Sequence, residues 1–102
     1  MGKEPQKVLV LMSTYNGEKF ICEQLDSILN QKDVEVELLI RDDKSSDATI
    51  SIINNYIKKH QNISLIEGKN LGAAYSFMDL IKHAKDYEFD FCAFCAFLWP
   101  YQ

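Results

Sequence analysis

With 102 residues the chain has material for one domain and little to spare for a second lobe, because a core of this size buries only about 60–70% of the unfolded surface. A hydrophobic fraction of 47% beside 25% charged residues is that of an ordinary globular protein and argues against disorder. The net charge of −4, with 11 Lys and Arg and no basic cluster, argues against nucleic acid as a partner, since affinity for a phosphate backbone rests on concentrated positive charge.

No apolar stretch reaches the ~18–20 residues that span a bilayer, and residues 1–7 lack the apolar region of a signal peptide. The expected compartment is the cytoplasm or its membrane face. Three cysteines, Cys22, Cys92 and Cys95, make an uneven count that fits a reducing compartment better than a disulfide framework, and they are expected to be buried thiols.

Val8-Leu9-Val10-Leu11-Met12 is a continuous apolar run, suited to a strand covered on both faces in a parallel sheet. Ser13-Thr14-Tyr15-Asn16-Gly17 breaks it as a loop. Over 18–31 the apolar residues Phe20, Ile21, Leu25, Ile28 and Leu29 recur at helical spacing, which predicts an amphipathic helix against the sheet. A second strand over 36–40 ends at Asp42-Asp43, and Ser46 or Asp47 is placed to cap the next helix. That helix should turn Ile50, Ile53, Tyr56 and Ile57 to the core. Residues 63–66 predict a third strand and Gly68-Lys69-Asn70-Leu71-Gly72 a third turn. A helix from Ala73 to about Lys85 follows, burying Phe77, Leu80, Ile81 and Ala84, and 89–97 is an apolar fourth strand.

The alternation β-α-β-α-β-α-β predicts an α/β fold with a parallel sheet. The ends of the first and second strands should then share one rim, and in open α/β sheets ligands bind at the carboxyl ends of the strands. Asp42-Asp43 on that rim favours a polar, hydroxyl-rich or cationic ligand. Taken alone, such a pair also suits a turn that caps a helix.

The loop at 13–17 and Asp42-Asp43-Lys44-Ser45-Ser46-Asp47-Ala48-Thr49, with Glu23-Gln24-Leu25-Asp26-Ser27-Ile28-Leu29-Asn30-Gln31 and Asn70-Leu71-Gly72, resemble the N-terminal half of the family 2 glycosyltransferases. The resemblance covers residues 7–94 and looks nearest to bacterial members that transfer rhamnose and similar sugars onto cell-surface polysaccharides. It implies the first half of a GT-A, Rossmann-like fold and a nucleotide or nucleotide-sugar ligand of UDP or dTDP type. Residues matching Ser13, Thr14 and Tyr15 contact the donor nucleotide in that family, the Tyr15 ring offering a flat face to a base. The residue matching Asp43 accepts a hydrogen bond from the base, as an acceptor-only ionised carboxylate does. Asn70 could reach the donor phosphate or sugar, while Asn16, Gly17 and Asp42 are expected to support the loops.

Lys44 and Ala48 stand where the family usually has glycine, which leaves the loop backbone open, because a left-handed residue is cheap only for glycine. Cys92-Ala93-Phe94-Cys95 has the spacing of a redox or metal pair. On a strand, however, residues three apart point to opposite faces, and neither His60 nor His83 has matching spacing. The resemblance implies Mg²⁺ or Mn²⁺ held by a further acidic motif after the fourth strand. Instead the chain continues Cys95-Ala96-Phe97-Leu98-Trp99-Pro100-Tyr101-Gln102, a divergent tail over 95–102 with no carboxylate after Asp90. A single truncated domain over 1–102 is therefore expected, inactive alone, binding no metal tightly, and self-associating through the exposed strand at 89–97. A fragment, a frameshift or a premature stop would each give such a chain. The competing readings are a non-catalytic nucleotide-binding or interaction module, and a phosphoacceptor receiver domain. A receiver would need its acidic pair after the first strand, where this chain has Ser13-Thr14.

Overall fold

The structure, a computed structural model, describes residues 5–95. The elements follow in the order β1 (Gln6–Thr14), α1 (Ile21–Leu29), β2 (Val34–Asp42), α2 (Thr49–Lys59), β3 (Ile63–Glu67), α3 (Ala73–Ala84) and β4 (Phe91–Cys95). The four strands form one parallel sheet in the order β3-β2-β1-β4. The chain winds outward from β1 through β2 to β3, then crosses back over β1 to place β4 on its other side. The order therefore reverses between β1 and β4, which makes their carboxyl ends the topological switch point of the sheet.

The continuous apolar run of β1 serves two cores because alternate side chains leave opposite faces of a strand. Val10 and Met12 join Val36, Leu38 and Ile40 of β2 beneath Ile21 and Leu25 of α1 and Ile53 of α2. Leu9 and Leu11 join Leu39 on the other face beneath Leu80 and Ala84 of α3. The start of β4 is tied to β1 from both sides, the Lys7 amide donating to the Asp90 carboxylate and the Asp90 amide to the Lys7 carbonyl, each at 2.8 Å.

Several side chains expected inside are not. Phe20 lies just ahead of α1 and is 55% exposed, and Ile81 is 44% exposed beside β4. Ile50, Tyr56 and Ile57 are only half-buried. Cys22 and Cys92 are exposed rather than buried, and Cys95 is half-buried with its thiol 3.3 Å from Gln24 Oε1. As expected of a strand, Cys92 and Cys95 face opposite ways: Cys95 packs on the α1/α2 core, while Cys92 lines a groove beside α3. Burial pushes both thiols above the ordinary cysteine value, away from the reactive thiolate a redox pair needs. The fourth strand covers 91–95 of the expected 89–97; residues 96 and 97, and the tail beyond Cys95, lie outside the described residues.

Of the two departures from glycine, only one strains the backbone. Lys44 takes the left-handed conformation at φ 69°, whereas Ala48 sits at an ordinary φ of −83°. A left-handed non-glycine residue costs about 1–2 kcal/mol, partly offset by the greater chain entropy that glycine loses on folding. Lys44→Gly is accordingly expected to stabilise the chain by about 0.5–1 kcal/mol, read as a higher urea midpoint at unchanged slope. A lower midpoint would contradict the loop geometry.

Candidate functional site

The strands β1 and β2 stay in register to their last pair, Thr14 beside Asp42, so the loops after both strands open on one rim. Alternation along β2 then sends the two adjacent carboxylates apart, Asp42 to the α1/α2 side with Ile40 and Asp43 to the α3 side with Leu39 and Arg41.

Asp42 is fully buried and knits the loops together. It accepts from the Thr14 hydroxyl at 2.7 Å, the Ser45 amide at 2.7 Å and the Ser45 hydroxyl at 2.6 Å. Asn16, left-handed at φ 50°, donates its amide to Ser45 Oγ at 2.7 Å and accepts on Oδ1 from the Ser46 amide at 2.8 Å. The amide of Gly17 reaches Thr49 Oγ1 at 2.9 Å, and that of Ala48 reaches Glu18 Oε1 at 2.8 Å. Ala48, flanking α2, offers no capping side chain; Asp47 before it accepts the Thr49 amide at 2.9 Å. Asn16, Gly17 and Asp42, expected as loop support, thus lie in one network.

Asp43 is also fully buried, but in a different setting. Its Oδ1 accepts from Arg41 Nη1 at 2.9 Å and from the Leu71 amide at 2.9 Å, and its Oδ2 from the Gly72 amide at 2.8 Å. Arg41, itself buried, donates further to Ser76 Oγ at 2.7 Å through Nη1 and to Asp79 Oδ2 at 2.8 Å through Nε. The Tyr75 ring centroid lies 5.3 Å from the guanidinium carbon. Gly68 leaves room for this cation: a Cβ there would overlap the guanidinium. Gly72 at φ 100° lets the turn present its amides to Asp43. Burial pushes the Asp43 carboxyl up, but the Arg41 guanidinium and the Leu71 and Gly72 amides outweigh it and hold the group below its ordinary value. For Arg41, burial works against the charge and the two carboxylates more than restore it.

The remaining expected residues lie along the same rim. Ser13 is paired in register with Arg41 and is fully buried, and its Oγ is the buried side-chain polar atom without a hydrogen-bond partner among the described residues. Thr14 gives its hydroxyl proton to Asp42, so only its acceptor lone pairs face other partners. Tyr15 is half-buried just beyond β1, and Asn70 is exposed and left-handed at φ 63° on the turn that covers Asp43.

Arg41, Ser76, Asp79 and Gly68 were not anticipated. The first carried a signal, a lone cation inside an apolar strand run two residues before a carboxylate. Ser76 stands one and two helical turns ahead of Leu80 and Ala84, a polar residue on an apolar stripe. Among the described residues no group of three or more His, Cys, Asp or Glu could hold a metal ion. The Asp42 and Asp43 carboxylates are engaged by protein donors, Asp43 by a protein cation, so the residues present do not fit a metal site. No helix among the described residues is long and apolar enough to cross a membrane.

Among curated relatives, the chain is 38% identical over 86 residues to the dTDP-rhamnosyl transferase RfbG of Shigella flexneri, matching 81% of this chain and 30% of that protein. Among solved structures, S. aureus TarS (residues 1–349) superposes with a TM-score of 0.73 at 30% identity, covering 88% of this chain and 27% of that one. The mannosyltransferase PcManGT of Pyrobaculum calidifontis, solved with GDP-Man and Mn²⁺, superposes with a TM-score of 0.71 at 28% identity, over 78% and 25% of the two chains. The chain thus spans less than a third of each of these proteins, and its four parallel strands and three helices match the GT-A fold of the two solved neighbours. The profile of Glycosyl transferase family 2 matches residues 9–95, nearly the whole described sheet with its helices, and the chain belongs to that family.

Proposed function

We propose that the rim at the ends of β1 and β2 binds the nucleoside diphosphate of a sugar donor, as part of a protein that transfers the sugar to a cell-surface polysaccharide. The observation that carries this reading is Ser13: a fully buried hydroxyl without a partner among the described residues, at the carboxyl end of β1, beside the switch point. Burying an unpaired polar group is costly, and a ligand that supplies the missing hydrogen bond removes the cost. Tyr15 offers a ring to the base, Thr14 its acceptor lone pairs, and Asn70 a side chain to the phosphate or sugar.

Asp43 supports a base with an N–H to give, of the UDP or dTDP type. Ionised, it can only accept, and Oδ2 takes one protein bond, from Gly72, leaving a lone pair. Because the turn at 69–72 covers the carboxylate, this reading has the turn move aside as the base enters. The described residues offer a metal no site, so binding at this rim is metal-independent, and the Mg²⁺ or Mn²⁺ of the whole enzyme belongs to residues outside 5–95. The compartment that goes with this reading is the cytoplasm or its membrane face.

Calorimetry of the chain with UDP and dTDP is expected to give weak binding that Mn²⁺ does not improve; metal-enhanced binding would count against this reading. Ser13→Ala separates ligand contact from folding. It should leave the unfolding free energy unchanged or higher, since no protein partner is lost, while weakening binding roughly fivefold, the size of one hydrogen bond. A loss of stability with binding intact would assign Ser13 to the fold instead.

Self-association through β4 is a second proposal. This outer strand pairs only with β1 among the described residues, leaves Phe91 59% and Phe94 54% exposed, and borders a groove of about 550 Å³ lined by Leu11, Ile81, Phe89 and Cys92. Unpaired apolar edges favour pairing with another chain. Sedimentation velocity should show association rising with concentration, and a strictly monomeric profile at high concentration would rule it out.

A further inference from the structure

Arg41 stands on the strand that ends at the proposed base-binding carboxylate. It is buried, and its guanidinium donates through Nη1 to Asp43 and Ser76 and through Nε to Asp79. Three restraints hold it there: the bond to Asp79 of α3, the missing Cβ at Gly68, and the Tyr75 ring near the guanidinium. A planar cation anchored in this way presents one N–H to Asp43 Oδ1 from β2 itself, a bond that stays in place when the turn carrying the Leu71 and Gly72 amides moves aside.

From this geometry, and resting on the nucleotide-binding reading, we infer that Arg41 is a positioning residue that sets base selectivity, holding Asp43 as a fixed, ionised, acceptor-only group that admits bases with a ring N–H and rejects cytosine. Uracil and thymine present an N–H at ring position 3, which a carboxylate accepts. Cytosine presents a bare ring nitrogen there, an acceptor that a carboxylate repels and only a protonated carboxyl can meet by donating. Discrimination is strongest where a site built to receive a hydrogen bond is left with an unpaired group by the wrong ligand.

The sign of the pH dependence follows. In the native chain Asp43 lies below its ordinary value, so it stays ionised through the mildly acidic range. Without Arg41, burial, which raises the group, is opposed by the two amides alone, and protonation moves up toward neutral pH. The other charged and titratable groups on the elements packed around Asp43 are Asp42 on β2, Lys44 beyond it, Tyr15 after β1, Glu67 at the end of β3, Lys69 on the turn, and Tyr75, Asp79 and His83 on α3. Of these, Asp79 acts on Asp43 through Arg41, and the His83 Nδ1 lies 2.9 Å from the Asp79 carbonyl oxygen.

The test compares UDP and CDP binding to the 102-residue chain, to Arg41→Lys and to Arg41→Met, between pH 5.5 and 7.5. The two nucleotides share their phosphate titration, so the ratio of their affinities isolates the base. The native chain should prefer UDP by a ratio that is flat with pH. In Arg41→Met the ratio should fall roughly tenfold from pH 7.5 to 5.5, as the Asp43 carboxyl takes up its proton. Arg41→Lys, which keeps the charge but not the fork, should fall between them. If Arg41→Met does not fold, the comparison of the native chain with Arg41→Lys decides alone. A ratio that follows the same pH profile in the native chain and the variants overturns the role of Arg41. A native chain that binds no UDP overturns the nucleotide reading itself.

Discussion

The buried ion pair between Arg41 and Asp43 is the constraint around which the carboxyl-end rim of the sheet is arranged. Taking a guanidinium and a carboxylate out of water costs several kcal/mol for each ion, recovered only when geometry is good and the remaining donors and acceptors are paired. Here several are: Asp43 receives two backbone amides beside the cation, and Arg41 reaches Ser76 and Asp79 on α3 through Nη1 and Nε. The pair thus joins the end of β2, the turn at 69–72 and α3 from Ser76 to Asp79. Removing one partner of such a pair costs roughly 3–5 kcal/mol, a large part of the roughly 5–15 kcal/mol that holds a domain folded.

The pleat of β2 turns one dipeptide into two devices. Asp42 points toward α1 and α2, takes three donors from Thr14 and Ser45, and has no cation beside it among its hydrogen-bond partners. With Asn16 it cross-links the loops after β1 and β2. Asp43 points toward α3 and, through Arg41, is held ionised. The left-handed Lys44 follows directly and supports this split, letting the chain turn at once so that Ser45 can return its amide to Asp42. Between the two networks, at the end of β1, Ser13 is left with an unpartnered hydroxyl facing the same side of the sheet as Arg41.

Much of this was legible in the sequence, for reasons that differ by element. The runs at 8–12 and 36–40 marked strands covered on both faces, and both extend further in the structure because backbone pairing continues into polar residues such as Ser13, Thr14 and Arg41, which periodicity cannot count. Helical spacing placed α1 and α3 well, but gave Phe20 and Ile81 to the core when the first precedes its helix and the second lies beside the open groove at β4. Cysteine's usual burial misled for Cys92, since nothing local says that β4 is an outer strand. The loop motifs identified Asp42 and Asp43, and the family resemblance already set Asp42 apart as loop support; their separate hydrogen-bond networks depend on which helix lies on which face. Arg41 was passed over because its partners, Ser76 and Asp79, come from 35 and 38 residues further along the chain, a pairing only the crossover from β3 to β4 creates.

The most direct measurement of this arrangement is amide hydrogen exchange at Leu71 and Gly72, whose N–H groups lie in a turn outside any helix or strand and donate to Asp43 alone among the bonds described. In the native chain both amides should be protected against exchange, and in Asp43→Ala, checked to be folded by circular dichroism, that protection should be lost while the amides of β1 and β2 keep theirs. Leu71 and Gly72 exchanging at unstructured rates in the native chain would contradict a carboxylate held between Arg41 and this turn.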